Sequence, residues 1–216
     1  MLRPNRFIAH VEVDGRVEIC HVKNTGRCRE LLIPGATVYL ERAENPARKT
    51  GYDLIAVRKG ELLINMDAQA PNKVFGEWAA EGMFLPGVTA VRPEFIWEDS
   101  RFDFRLETEE GVHFVEVKGV TLEENGEVRF PDAPTERGSK HLRGLLRAVE
   151  QGYGATACFV IQMKGPTVFR PNDRTDPAFG EALRRAAAGG VQVLAVDCRV
   201  EPDSLRIDGV VPVDLS

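Results

Sequence analysis

The stretch RFDFRLETEEGVHFVEVKGV, residues 101–120, holds two apolar-alternating runs joined by a short polar break. Side chains two apart on a strand share a face. Glu116 and Lys118 therefore project together, while Val115 and Val117 point into a core. Thr108-Glu109-Glu110-Gly111 turns the chain back. A turn at Glu109-Glu110 sets Asp103 opposite Glu116, and a turn at Glu110-Gly111 sets it opposite Lys118. Either register places Asp103 on the face of Glu116 and Lys118, unless a bulge intervenes.

Charges in the middle of apolar strands are costly, and facing carboxylates repel. A hard divalent cation relieves both costs, because Mg²⁺ takes carboxylate oxygens and keeps waters for a phosphate substrate. Such an ion polarises a phosphoryl oxygen and lowers the pKa of a bound water. The Lys118 ammonium would orient that water or stabilise charge on the phosphorus oxygens. The same residues also fit an Asp103–Lys118 ion pair on a solvated face. Phe102 and Phe104, flanking Asp103, mark a core strand and favour the first reading.

Downstream, a strand over Glu127–Phe130 precedes a helix over Thr135–Gln151. Leu142, Leu145, Leu146 and Val149 form its apolar stripe, leaving Arg137, Lys140, His141, Arg143 and Arg147 on other sides. Thr135 is suited to cap it, and a phosphate near that helix start would suit both the cap and the cations. Strand Ala155–Gln162, helix Pro177–Ala188, strand Val191–Val196 and a strand near Leu205–Val213 complete the pattern. With a further strand over Thr89–Trp97, the alternation predicts an α/β sandwich with a mixed sheet flanked by helices.

The first third reads differently. Ala9, Val11 and Val13 alternate with polar residues, Asp14-Gly15 is a hairpin signal, and Val17 and Ile19 resume the pattern. Strands follow over Thr37–Arg42, Asp53–Arg58 and Glu61–Asn65, the last two joined at Lys59-Gly60. Five short strands in about 65 residues predict a small closed β-barrel, most simply an OB-fold, with an SH3-like barrel as the alternative. Phe7 and Tyr39 are expected in its core rather than as stacking platforms. A helix over residues 72–82, with Val74, Phe75, Trp78 and Ala79 on one face, joins the parts. The division is a barrel over 1–80 and an α/β domain over 81–216, an α+β chain overall. Lys23-Asn24-Thr25-Gly26-Arg27-Cys28-Arg29 is a basic loop that would anchor a phosphate without reading sequence. A tight turn with solvated charges is the plainer account of it.

The chain has 216 residues and a formal charge of −5, with 43% hydrophobic and 28% charged residues. That composition excludes a disordered chain. Ala155–Met163, the longest nearly apolar run, is far short of the roughly 20 residues of a membrane span. Residues 1–6 carry no apolar core of a secretory leader, which with free thiols predicts a cytoplasmic protein. A pI near 5.5 argues mildly against a nucleic-acid partner. The charge is uneven, however: residues 1–80 sum to +2 and residues 81–216 to −7. Cys20, Cys28, Cys158 and Cys198 form no C-x-x-C pair, and the four His show no metal-ligand spacing. Gly152–Ala157 mimics a dinucleotide loop in the wrong order of elements. Pro131-Asp132 and Pro202-Asp203 are not followed by a Glu-x-Lys strand, and Asp132 is expected to form a turn.

Asp103, Glu116 and Lys118, with Glu94 upstream, resemble the PD-(D/E)-x-K nucleases. More closely, four segments resemble the sugar fermentation stimulation protein family: His21-x-x-Asn24-Thr25-Gly26, Arg101–Phe104, Val115–Leu122 and Phe130-Pro131-Asp132-Ala133-x-Thr135-Glu136-Arg137-Gly138. The resemblance implies an N-terminal OB domain, a nuclease-like domain over 81–216, and nucleic acid, DNA ahead of RNA, as partner with no membrane. It implies Mg²⁺ or Mn²⁺ ligated by Glu94, Asp103, Glu116 and the Val117 carbonyl, with Lys118 as the catalytic lysine. Nucleic-acid contacts are implied for His21, Lys23, Asn24, Thr25, Gly26, Arg27, Arg101, Thr135, Glu136, Arg137, Lys140 and His141. Phe102 stands where the superfamily name has proline. Two functions are expected from this: a metal-dependent nuclease, or a DNA-binding regulator of sugar utilisation genes that keeps the fold without turnover. The oligomeric state, a homodimer included, stays open.

Overall fold

The computed structural model describes residues 2–24, 26–45 and 47–216. Alternating apolar residues near the start form β1 (Leu2–Asn5), β2 (Ile8–Val13) and β3 (Arg16–Val22). Val13 pairs Arg16 across Asp14-Gly15, both of which take positive φ, as a two-residue hairpin turn requires. The strands β4 (Val38–Arg42), β5 (Tyr52–Lys59) and β6 (Leu62–Asn65) follow, with the second turn at Gly60-Glu61, one position later than expected. The order is β1-β2-β3-β5-β4, with β6 also on β5. Among the described residues these ladders do not close, so the expected closed barrel is an open sheet. Its end strand β1 carries Pro4, which has no N–H to donate onward. Phe7 falls in the β1–β2 turn and is 46% exposed, contrary to its expected place in the core.

Beyond α1 (Ala70–Ala80) come β7 (Val88–Trp97), β8 (Ser100–Thr108), β9 (Gly111–Val120), β10 (Leu122–Glu124), β11 (Glu127–Phe130), α2 (Glu136–Glu150), β12 (Gly154–Ile161), β13 (Val168–Pro171), α3 (Pro177–Ala188), β14 (Gln192–Glu201) and β15 (Ser204–Val211). The main sheet has the order β15-β14-β12-β9-β8-β7. The strands β9, β12 and β14 run parallel, and the others antiparallel. Parallel neighbours need long crossovers, and α2 and α3 supply them. The small sheet β10-β11-β13 was not expected, because two of its three strands are short, polar or proline-ended.

The sheet is covered on both faces. Leu142 and Leu145 of α2 and Phe179 and Leu183 of α3 share a buried cluster with Phe102, Phe114 and Phe159. Val74 and Phe75 of α1 pack with Phe104, Leu106, Val115 and Val117 on the other face. The first cluster continues through Val120 to Met66, Ile64 and Leu54, so the N-terminal sheet shares its core with the rest. Polar bonds reinforce the seam. Gln162 donates its Nε2 to Asn65 Oδ1 and to the Asp67 carbonyl, both at 2.9 Å, and Lys59 binds the buried Glu123. Among the described residues, no helix is long and apolar enough to cross a membrane.

His113, on β9, meets Thr156 Oγ1 at 2.8 Å through its Nε2. Burial pushes its pKa down to about 4. A histidine depressed below its unfolded value near 6.5 favours the fold above that pH and progressively less as pH falls toward 4. The loss expected from this group between pH 7 and pH 5 is about 2 kcal/mol. Urea unfolding should show it, and a His113→Gln variant should lose most of the drop. An equally steep decline in the variant would contradict the assignment.

Candidate active site

The β8–β9 ladder runs from Thr108–Gly111 to Phe104–Val115, so the turn is Glu109-Glu110 and the register leads Asp103 toward Glu116. The strand departs from regular two-residue alternation at the next step. Phe102 packs against Phe114 at 5.1 Å beneath α2, whereas Phe104 packs against Phe75 at 5.1 Å beneath α1. Residues two apart on a regular strand cannot do this. The strand therefore rolls over at Asp103, because the two rings are buried against different helices. Its carboxylate enters the gap between β8 and β9, where Oδ2 accepts from the Val117 N–H at 2.8 Å. Oδ1 accepts from Asn72 Nδ2 of α1 at 2.9 Å.

Glu116 is 2% exposed. Its Oε1 accepts from Lys118 Nζ and from His141 Nδ1 on α2, leaving His141 Nε2 to accept from Arg137 Nε at 3.3 Å. Its Oε2 is buried and, among the described residues, has no partner. Burial alone would raise the Glu116 pKa, but the His141 hydrogen bond and the Lys118 charge outweigh it and hold the pKa below the usual range. Asp103 moves the other way. Burial and then the Glu116 charge raise it, and Lys118, the Val117 N–H and Asn72 only partly compensate. A buried carboxylate oxygen without a partner is costly. The two carboxylates offer the hard oxygens that Mg²⁺ or Mn²⁺ takes. Among the described residues no three His, Cys, Asp or Glu side chains are grouped to hold a metal, so such an ion would keep waters.

The other expected site residues divide. His141 and Arg137 join the acidic pair. Glu94 does not: it has a φ of 54°, its side chain is 71% exposed, and it binds Arg101 Nη2 at 2.6 Å. Arg101 is thereby committed to Glu94. Thr135 caps α2 by accepting from Gly138 N at 3.0 Å, Glu136 lies in that first turn, and Lys140 binds the Asp99 carbonyl at 2.9 Å. In the N-terminal sheet, Arg48 and His21 both bind Asp53 and pull its pKa down to about 2, the Arg48 hydrogen bond contributing most and burial opposing it. Lys23 pairs with Asp67 at 2.6 Å. Asn24 Oδ1 accepts from Gly26 N at 2.7 Å, and Arg27 N donates to Asp132 Oδ2 at 2.7 Å. Asp132 thus fastens the basic loop to the C-terminal part. Thr25 lies outside the described residues.

Asn72 and Gln162 carry no sequence signal for their places, since both reach the site only through tertiary packing. Gly119 does carry one in retrospect. A Cβ there would lie 2.5 Å from Gln162 Oε1 and 2.8 Å from Pro71, so only glycine lets these groups close over β9 beside Lys118. A cleft of about 360 Å³ opens beyond it, lined by Gly119, Thr121, Arg6, Arg129, Asp132 and Thr135 among others.

Comparison with known proteins covers nearly the whole chain. Residues 1–66 match the SfsA N-terminal OB domain, and residues 69–204 match the sugar fermentation stimulation protein RE domain. The sugar fermentation stimulation protein homolog of Clostridium beijerinckii is 55% identical over 215 residues, covering 100% of this chain and 95% of that protein. The homolog of Desulfitobacterium hafniense strain Y51 is 59% identical over 213 residues, covering 99% and 93%. A solved structure, described as that of Pyrococcus furiosus SfsA in complex with Ca²⁺, superposes with a TM-score of 0.89 at 28% identity, covering 98% of this chain and 92% of that one. The open N-terminal sheet is thus an OB domain, as its strands and turns predict.

The raised pKa of Asp103 means that its charge opposes folding above that pKa, and that the favourable protonated form is lost as pH rises through it. Asp103→Asn mimics the protonated form, and Asn72 can turn its amide to match. In EDTA at neutral pH the variant should melt higher than the wild type. An unchanged or lower melting temperature would contradict this electrostatic account.

Proposed function

The chain belongs to the sugar fermentation stimulation protein family, and from the acidic pair in its main sheet we propose a Mg²⁺- or Mn²⁺-dependent hydrolase of phosphodiester bonds in nucleic acid, DNA ahead of RNA. The observation that carries this is the buried, unpartnered Oε2 of Glu116 beside Asp103. The sequence order of Asp103 and Glu116-x-Lys118 matches the PD-(D/E)-x-K pattern, and the Pyrococcus relative described with Ca²⁺ supports a hard divalent ion. Asp103, Glu116 and the Val117 carbonyl would hold the ion. When bound, it supplies charge that polarises a phosphoryl oxygen and lowers the pKa of a water.

The chain's own residues do the rest. His141 and Asn72 fix one oxygen of each carboxylate, which sets the pair before substrate arrives. Lys118 Nζ, on Glu116, is placed to orient a water or to stabilise charge on the phosphate. The OB domain and the Lys23–Arg29 loop bind the strand outside the reacting bond. One observation favours the regulator instead: Lys118 and His141 already satisfy Glu116 Oε1 without any ion.

Incubation with single- and double-stranded DNA and RNA in Mg²⁺ or Mn²⁺ separates the two. Cleavage is expected, abolished by EDTA and lowered on the order of 10²-fold or more in Asp103→Ala and Lys118→Ala. No cleavage, or equal cleavage by the variants, overturns the hydrolase. Binding in EDTA without cleavage in metal would support the regulator.

A further inference from the structure

Arg3, Arg6, Arg27 and Arg29 converge on one shallow groove of about 500 Å³ in the OB domain, beside Leu2 and Leu32. No carboxylate lines it, in a chain whose formal charge is −5. Arg3 is the brace. Its guanidinium donates to the carbonyls of Gly26 at 3.0 Å, Arg6 at 3.1 Å and Arg27, drawing the β1–β2 turn against the loop after β3. Arg6, Arg27 and Arg29 are exposed, and none belongs to an ion pair among the described residues. Asp132 meets the Arg27 backbone N–H rather than a guanidinium, so the like charges gathered in the groove repel one another unless an anion joins them.

Two further observations say which anion. The Arg6 guanidinium lies 5.3 Å over the ring of Phe7, which is 46% exposed. An exposed aromatic among cations suits an unpaired base next to its phosphates. Arg6 also lines the cleft that runs past Gly119 and Thr121, immediately beyond Lys118 on β9. Groove and cleft therefore share a wall and form one track. We infer that a single strand of nucleic acid passing the acidic pair continues through this cleft onto the OB domain, its phosphates held by Arg6, Arg27 and Arg29 and a base stacked on Phe7. The inference rests on the reading that the partner is nucleic acid, and it does not require that the strand be cut.

Fluorescence anisotropy of labelled oligo-dT in EDTA, over a KCl series, tests it. Each lost phosphate contact to a single strand reduces the slope of log K against log salt by about 0.7. The Arg6→Ala/Arg27→Ala/Arg29→Ala variant should therefore lose about 2 from the slope. The corresponding triple lysine variant should retain it. Phe7→Ala should weaken binding roughly tenfold at an unchanged slope. Thermal melting confirms that each variant is folded. A wild-type slope and affinity in the triple alanine variant overturns the track, as does wild-type protein that binds no strand or prefers duplex. Displacement by poly-glutamate as effective as by unlabelled oligo-dT would assign the groove to acidic proteins and overturn it too. Slope loss without cleavage in Mn²⁺ leaves the track standing and removes the hydrolase; cleavage with an unchanged slope does the reverse.

Discussion

A carboxylate 2% exposed in the middle of a sheet must be matched by donors, and Glu116 gathers them from two directions. Lys118 comes from its own strand, two residues on, and His141 comes from α2. The His141 contact needs α2 to cross β9 at one height. That height follows from the β9–β12 parallel pairing, the Thr135 cap and the Leu142 and Leu145 stripe beneath the helix. Both donors fall on Oε1, so Oε2 is left facing nothing. An arrangement this one-sided suits a site built for an ion better than a structural ion pair, which would distribute its donors over both oxygens.

The two parts of the chain are joined at the same place. Gly119 lets Gln162 and Pro71 close over β9, and Gln162 reaches back to Asn65 and Asp67 of the OB domain. Asp132, at the entry to α2, accepts from the Arg27 N–H. Arg27 is therefore tied to the approach of α2, and Lys23, through its pair with Asp67, to the segment that Gln162 holds. A site supported in this way holds its geometry better than one hung on a free loop.

The elements legible in sequence are those with a local cause. Asp14-Gly15 turns where the positive φ values are needed, Thr135 caps α2, and the apolar run around Glu116 and Lys118 forms the strand β9. What was misread has a non-local cause. Period-two reasoning cannot show that Phe102 and Phe104 are claimed by different helices, so it misses the roll of the strand that sets the Asp103 carboxylate between β8 and β9. Nothing near Asn72 in sequence indicates that it meets a residue on β8. Phe7 looks like a core residue from its alternation with Ala9, yet the β1–β2 turn leaves it outside.

The central claim is that Glu116 keeps Oε2 free for a divalent cation shared with Asp103. Calorimetric titration of the metal-free protein with Mn²⁺ tests this without any assumption about substrate. Wild-type protein should bind Mn²⁺, and Glu116→Gln, shown by its melting curve to be folded, should bind more weakly by about 100-fold or more, exceeding the loss typical of an outer-shell change. Equal affinity in the two proteins, or no binding by the wild type, would contradict it.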